Sequence, residues 1–136
     1  MFYLVIPDEI ANESENRNIV AMKLDLSSMN SVRDFAREFL AKEERLDVLI
    51  HNAGYANTFD KAVSVDGIEL TMATNHYGPF LLTHLLIDLL KKSAPSRIVV
   101  VASSFYRLVS VDVENLNPTN SIPWYLYYVS KGANIM

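Results

Sequence analysis

The sequence of 136 residues has no cysteine and only four glycines, Gly54, Gly67, Gly78 and Gly132. Without cysteine there is no disulfide, no thiol nucleophile and no thiolate metal site. No two of the glycines are close enough to form the G-x-G turn that cradles a phosphate at a helix N-terminus. Neither sign of charge dominates. The formal net charge is −4 with no basic cluster, so a nucleic-acid footprint is excluded. Long apolar runs are missing too. The opening stretch "MFYLVIP" is too short to span a bilayer and lacks the basic flank of a signal peptide, so a cytoplasmic chain is expected. In that setting the glycosylation triplet Asn12-Glu13-Ser14 is a chance match. His51, His76 and His84 show no metal-ligand spacing, so they read as packing residues and no metal site is expected.

The rest has a globular composition, with half the residues hydrophobic and 21% charged. The length suits a single domain over residues 1–136. "NIVAMKLDL" (18–26) alternates apolar and polar residues and predicts a strand. In "SSMNSVRDFAREFLAKEERL", Val32, Phe35, Ala36, Phe39 and Leu40 recur at helical spacing, with Ser27 or Ser28 as N-cap and a solvated charged face over 33–45. "DVLIHNAG" (47–54) is an apolar run ending at a glycine, the pattern of a buried parallel strand. A loop over 55–66 leads to a long helix over 67–93, in which Pro79 should kink the axis or remove a hydrogen bond. The leucine-rich run 81–90 reads as a core and subunit-contact face. "SRIVVVASS" (96–104) predicts another buried strand. Residues 105–122 are mostly loop with a turn at Asn117-Pro118, and Ser121 and Pro123 mark the start of a last helix. Strand and helix alternate, which implies a parallel sheet with helices on both faces.

In such a sheet, ligands bind beyond the carboxyl ends of the strands. Asp25, the run His51-Asn52-Ala53-Gly54, and Ser103-Ser104 occupy those positions, and the last helix adds Tyr127 and Lys131. Tyr127 and Lys131 are four residues apart and share a helix face. A nearby ammonium favours a phenolate, and a tyrosine so placed can act as general acid or base. Tyr128, three residues from Lys131, is not rejected by spacing alone. Taken singly, such a pair is ordinary amphipathic surface.

The motifs "LDVLIHNAG", "TNHYGPFLLTHLL", "SRIVVVASS" and "YYVSK", in this order, resemble the short-chain dehydrogenase/reductase family, and most closely its retinol-dehydrogenase-like branch. The resemblance covers nearly all of residues 8–136. It implies a Rossmann-like fold and hydride transfer between NADP or NAD and an alcohol or carbonyl, with a small lipophilic, retinol-like substrate. NADP is favoured by resemblance only. By that likeness Asp25-Leu26 contacts the adenine, and Asn52, Ala53 and Gly54 form the turn beside the adenosine and ribose. Asn75 holds a water in a proton relay. Ser103, with Ser104 as second choice, binds the substrate oxygen. The family spacing selects Tyr127 over Tyr128 as the proton-transfer residue, and Lys131 binds the nicotinamide ribose. A homodimer through the helices at 67–93 and 123–136 is implied. Full-length relatives are often membrane-associated, but no membrane segment is expected in this sequence.

The family's glycine-rich cofactor fingerprint has no counterpart here. The chain is therefore expected to be a partial version of the fold, truncated at both ends, without the first two and last two strands. Two family strands belong between 18–24 and 47–51. At about 4.8 Å per strand step, a gap of roughly 14 Å with exposed apolar lips is expected, of which "MFYLVI" could fill one slot at most. The strand at 97–102 becomes an exposed edge. Two functions follow: an oxidoreductase by lineage, inactive as this chain alone, or a non-catalytic remnant acting through protein contacts of the 67–93 helix.

Overall fold

A computed structural model describes residues 7–57 and 60–136. The opening stretch 1–6, expected to be neither membrane span nor signal peptide, lies outside the described residues. So do residues 58 and 59 of the 55–66 loop.

Two short parallel strands, β1 (Val48–His51) and β2 (Arg97–Val100), pair in register from Val48↔Arg97 to His51↔Val100. The ladder continues one step, with Val101 N donating to His51 O. The helices are α1 (Pro7–Ser14), α2 (Met29–Lys42), α3 (Leu70–Met72), α4 (Gly78–Lys92) and α5 (Pro123–Ala133). Alternating strands and helices thus give the expected α/β class.

Helix α2 forms where its spacing predicts. Of the two candidate caps, Ser28 is the one used, its hydroxyl accepting from Ser31 N at 3.3 Å. Asp66, far along the chain, supplies a second cap by accepting from Met29 N at 2.8 Å. The charged outer face is solvated, and its Arg37–Asp34 pair at 2.9 Å is of the exposed kind worth a few tenths of a kcal/mol. The inner face packs Val32 and Ala36 against Leu82 and Leu86 of α4, and Leu24, Leu26, Phe35 and Phe39 close the cluster. Each fully buried leucine here contributes about 2 kcal/mol.

Three expectations change. Residues 18–26, expected as a strand, form none. Their side chains alternate between exposed and half-buried, but among the described residues no neighbouring segment pairs their backbone. The pattern dictates an extended chain, and pairing is what would make it a strand. The segment is held instead by Leu24 and Leu26 in the α2–α4 core. Next, the strands are less buried than their composition implies. Helix α4 lies against Leu49 and His51 of β1, whereas Val48 and Ile50 are 42% and 59% exposed and Ile98, Val99 and Val100 of β2 are 40%, 41% and 41% exposed. Lastly, the helix begins at Leu70 rather than Gly67. Glu69 caps it by accepting from Thr71 N and Met72 N.

The interruption at Pro79 takes a specific form. Residues Ala73–Tyr77 make a π-helical turn, closed by Gly78 N donating to Ala73 O. Pro79 has no N–H to offer the Asn75 carbonyl four residues earlier, and a widened turn accommodates that loss. Gly78 then packs directly on the extended segment: a Cβ there would lie 2.2 Å from Leu26 O. The Asn117-Pro118 turn also acts at a distance. Asn117 accepts from Glu69 N at 2.8 Å and donates to Gly67 O at 3.1 Å. Strand β2 ends at Val100 rather than at Ser104, and residues 104–108, with 105–108 among them expected as loop, form a short 3-10 helix.

Candidate active site

Helix α5 opens on Pro123, whose missing N–H costs nothing at that position. It presents Tyr127, Ser130, Lys131 and Asn134 at spacings of three, one and three, a single polar stripe. This stripe lies against the π-helical turn and the carboxyl end of β2.

Asn75 is the centre of the contact. It is 2% exposed, and both its amide protons and its carboxamide oxygen are hydrogen-bonded. The oxygen accepts from Tyr55 N at 2.6 Å, and the nitrogen donates to Tyr55 O at 2.8 Å and to Ser130 Oγ at 2.9 Å. Ser130 in turn donates to Tyr127 O at 2.7 Å. One side chain therefore ties the loop after β1, the π turn and α5 together.

Lys131 is 4% exposed and carries its ammonium to the end of the sheet, donating to Val101 O at 2.8 Å. Burial pushes its pKa below the usual lysine value. The same nitrogen lies 5.8 Å from the Tyr127 ring centroid. At Gly54 a Cβ would sit 3.7 Å from Lys131 Nζ and 3.8 Å from Asn75 Oδ1. The bare backbone of Gly54 thus leaves a small cradle between an ammonium and a carboxamide.

The structure therefore brings together Gly54, Asn75, Tyr127 and Lys131. Ser103 stands just beyond β2, capping the 3-10 helix by accepting from Phe105 N at 3.3 Å. That helix packs on α5 through Phe105, whose ring stacks on Tyr128 at 4.8 Å. Tyr128 is thus engaged in an aromatic cluster with Trp124 and Phe105, while Tyr127 sits beside Lys131. Leu26, Asn52 and Ala53 form a second group, lining a cavity of about 230 Å³ between the extended segment and β1. The Asp25 carboxylate is engaged locally by Ser27 N at 2.9 Å and Ser27 Oγ at 2.7 Å.

A larger cleft, about 430 Å³, lies on the α4 side of the sheet between His76, Phe80, His84, Val100 and Val113. It includes none of Ser103, Tyr127 and Lys131, so its size does not mark the chemistry. At its edge His51, 9% exposed, bonds Thr83 Oγ1 at 2.7 Å. Among the described residues no group of three metal-ligating side chains comes together. Among those residues, too, no helix is long and apolar enough to cross a membrane.

Sequence reasoning missed Ser130, Asn134 and Tyr55. The first two could have been found, since they continue the stripe set by Tyr127 and Lys131. Tyr55 acts through its backbone, which leaves no side-chain signal.

Comparison with known proteins gives the family. The family model described as short chain dehydrogenase matches residues 6–111. Retinol dehydrogenase 14 of Mus musculus is 48% identical over 119 residues, covering 87% of this chain and 35% of that protein. Dehydrogenase/reductase SDR family member 13 of Bos taurus is 47% identical over 109 residues, covering 80% of this chain and 28% of that protein. The chain spans about a third of the length of these curated relatives. Among solved structures, an NADP active-site complex of RhlG from Pseudomonas aeruginosa superposes with a TM-score of 0.68 at 26% identity, covering 93% of this chain and 48% of the other.

Proposed function

This chain belongs to the short-chain dehydrogenase family, and we propose that it carries the proton-transfer side of an NAD(P)-dependent oxidoreductase site. The reaction is the interconversion of an alcohol and a carbonyl on a small lipophilic substrate, retinol-like by analogy with the named relatives. One observation carries the proposal: Gly54, Asn75, Lys131 and Tyr127 converge beyond the carboxyl ends of two parallel strands.

The cofactor, when bound, supplies the hydride chemistry. The residues present fit its nicotinamide-ribose part. Lys131 offers ammonium protons, and the Gly54 backbone leaves room beside them. They do not fit its pyrophosphate, since the widely spaced glycines form no phosphate cradle. Asp25, Leu26, Asn52 and Ala53 belong, in this proposal, to the adenosine end. NADP is preferred over NAD by analogy with the NADP complex among the structural neighbours.

Tyr127 gives its hydroxyl proton to the substrate oxygen during reduction and recovers it during oxidation. Lys131, held from below by Val101 O, keeps a positive charge next to the phenol. Ser103 donates a hydrogen bond to the same substrate oxygen. Asn75 braces the assembly through Ser130 and Tyr55. A homodimer through the 67–93 segment and α5 and a cytoplasmic setting are part of the same proposal.

The glycine spacing supports a second reading for these residues alone. Without a pyrophosphate cradle they do not catalyse the reaction and act only through protein contacts of the 67–93 segment. Retinaldehyde reduction with NADPH, compared between the chain and Tyr127→Phe, separates the two. Tyr127-dependent NADPH oxidation supports the oxidoreductase. Its complete absence from a folded chain supports the non-catalytic reading.

A further inference from the structure

Pro79 leaves the Asn75 carbonyl without the N–H that an α-helix would supply. A side chain from another helix fills that place. Asn134, at the end of α5, donates from Nδ2 to Asn75 O at 3.0 Å, and its Oδ1 lies 2.9 Å from His76 Nδ1. The two contacts fix the chemistry. A backbone carbonyl only accepts, so the amide nitrogen must face Asn75. The oxygen then faces His76, and His76 Nδ1 must carry a proton. His76 is itself flanked by aromatic neighbours, its ring at 5.2 Å from that of Tyr77 in the turn and 6.0 Å from that of Phe80 in α4.

We propose that Asn134 is a positioning residue: it clamps the π-helical turn that carries Asn75 onto the helix that carries Tyr127 and Lys131, and it holds His76 as the Nδ1–H tautomer. The functional importance of the clamp rests on the oxidoreductase reading above, but the clamp itself does not. Ser130 grips the side chain of Asn75, whereas Asn134 grips its backbone and the next residue. Together they hold the turn at three atoms. Among the described residues neither Tyr127 nor Lys131 hydrogen-bonds the backbone of this turn, so these two side chains hold its register against α5.

The test is nitrogen-15 NMR of the histidine rings in the chain at pH 8, with amide exchange across residues 73–78. His76 is expected as Nδ1–H in the wild type. Asn134→Ala is expected to release that tautomer and to speed amide exchange in the turn about fivefold to tenfold, the loss of roughly one neutral hydrogen bond. Asn134→Asp keeps an acceptor for His76 but has no donor for Asn75 O. It is expected to preserve the tautomer while still loosening the turn. A purely space-filling role would leave the tautomer unchanged in both variants. A wild-type His76 found as Nε2–H overturns the proposal, as does unchanged exchange in a folded Asn134→Ala chain. Should Asn134→Ala not fold, the wild-type tautomer and the Asn134→Asp variant still decide it. None of these readouts requires turnover, so failure of the oxidoreductase reading would show separately in the reductase assay.

Discussion

Asn75 Nδ2 and Ser130 Oγ lie 2.9 Å apart, and both residues are almost wholly buried. This bond joins the π-helical turn to the helix of Tyr127 and Lys131. Ser130→Ala would strand one amide proton of Asn75 away from water. A buried unpaired donor costs about 1–3 kcal/mol, so the urea midpoint should fall correspondingly. The slope of the transition should stay constant, showing that the loss is local.

Gly78→Ala tests how the extended segment is held. Alanine ordinarily improves a helix by about 1 kcal/mol over glycine. Here its Cβ would meet Leu26 O at 2.2 Å, and a backbone atom cannot swing aside. Overpacking of this kind costs about 1–3 kcal/mol or more and should outweigh the gain. Lower stability in urea is expected, with faster amide exchange over residues 22–28. Increased stability would show that the segment is not docked on α4 as described.

His51 gives the stability a pH dependence of known sign. Thr83 donates its hydroxyl proton to Pro79 O at 2.9 Å, so His51 Nε2 donates to Thr83 Oγ1. Burial lowers the His51 pKa from 6.5. The unfolded chain then binds more protons than the folded one at and below that value, and stability rises with pH there. The contribution is complete above pH 6.5 and is lost as pH falls toward the folded pKa. The slope from one such group cannot exceed about 1.4 kcal/mol per pH unit. His51→Asn should flatten this part of a urea-midpoint series taken from pH 8 to pH 5.

Lys131→Met separates stability from function. The ammonium is buried, donates to Val101 O, and has its pKa lowered by burial. Methionine keeps most of the packing without the charge. Relief of the buried charge and loss of the donor to Val101 O oppose each other, so stability should change by no more than about 1 kcal/mol in either direction. Tyr127-dependent reduction should nevertheless be lost.

Much of this architecture was legible in the sequence because its signals are local. The spacing of Val32, Phe35, Ala36 and Phe39 places α2, and the Tyr-x-x-x-Lys pattern places Tyr127 over Lys131. What was not legible depends on partners distant in sequence. The alternation at 18–26 dictates an extended backbone but not the pairing that defines a strand. The apolar residues of β1 and β2 favour strands but do not say which row is covered. Pro79 announces a disturbance, yet only Gly78 against Leu26 and Asn134 against Asn75 show why it becomes a π turn at that place. Ser130 and Asn134 lay in plain spacing on the stripe of Tyr127, and attention to the tyrosines alone passed over them.

The most direct measurement of the central claim is NADPH oxidation with all-trans-retinaldehyde by the chain and by Tyr127→Phe, at amounts matched by near-UV dichroism. With the phenolic proton as the essential acid, oxidation should be slow in the chain and fall by at least about 100-fold in the variant. Equal rates in the two proteins would contradict the assignment of Tyr127, and no oxidation above a protein-free blank by a folded chain would contradict catalysis by these residues alone and favour the non-catalytic reading.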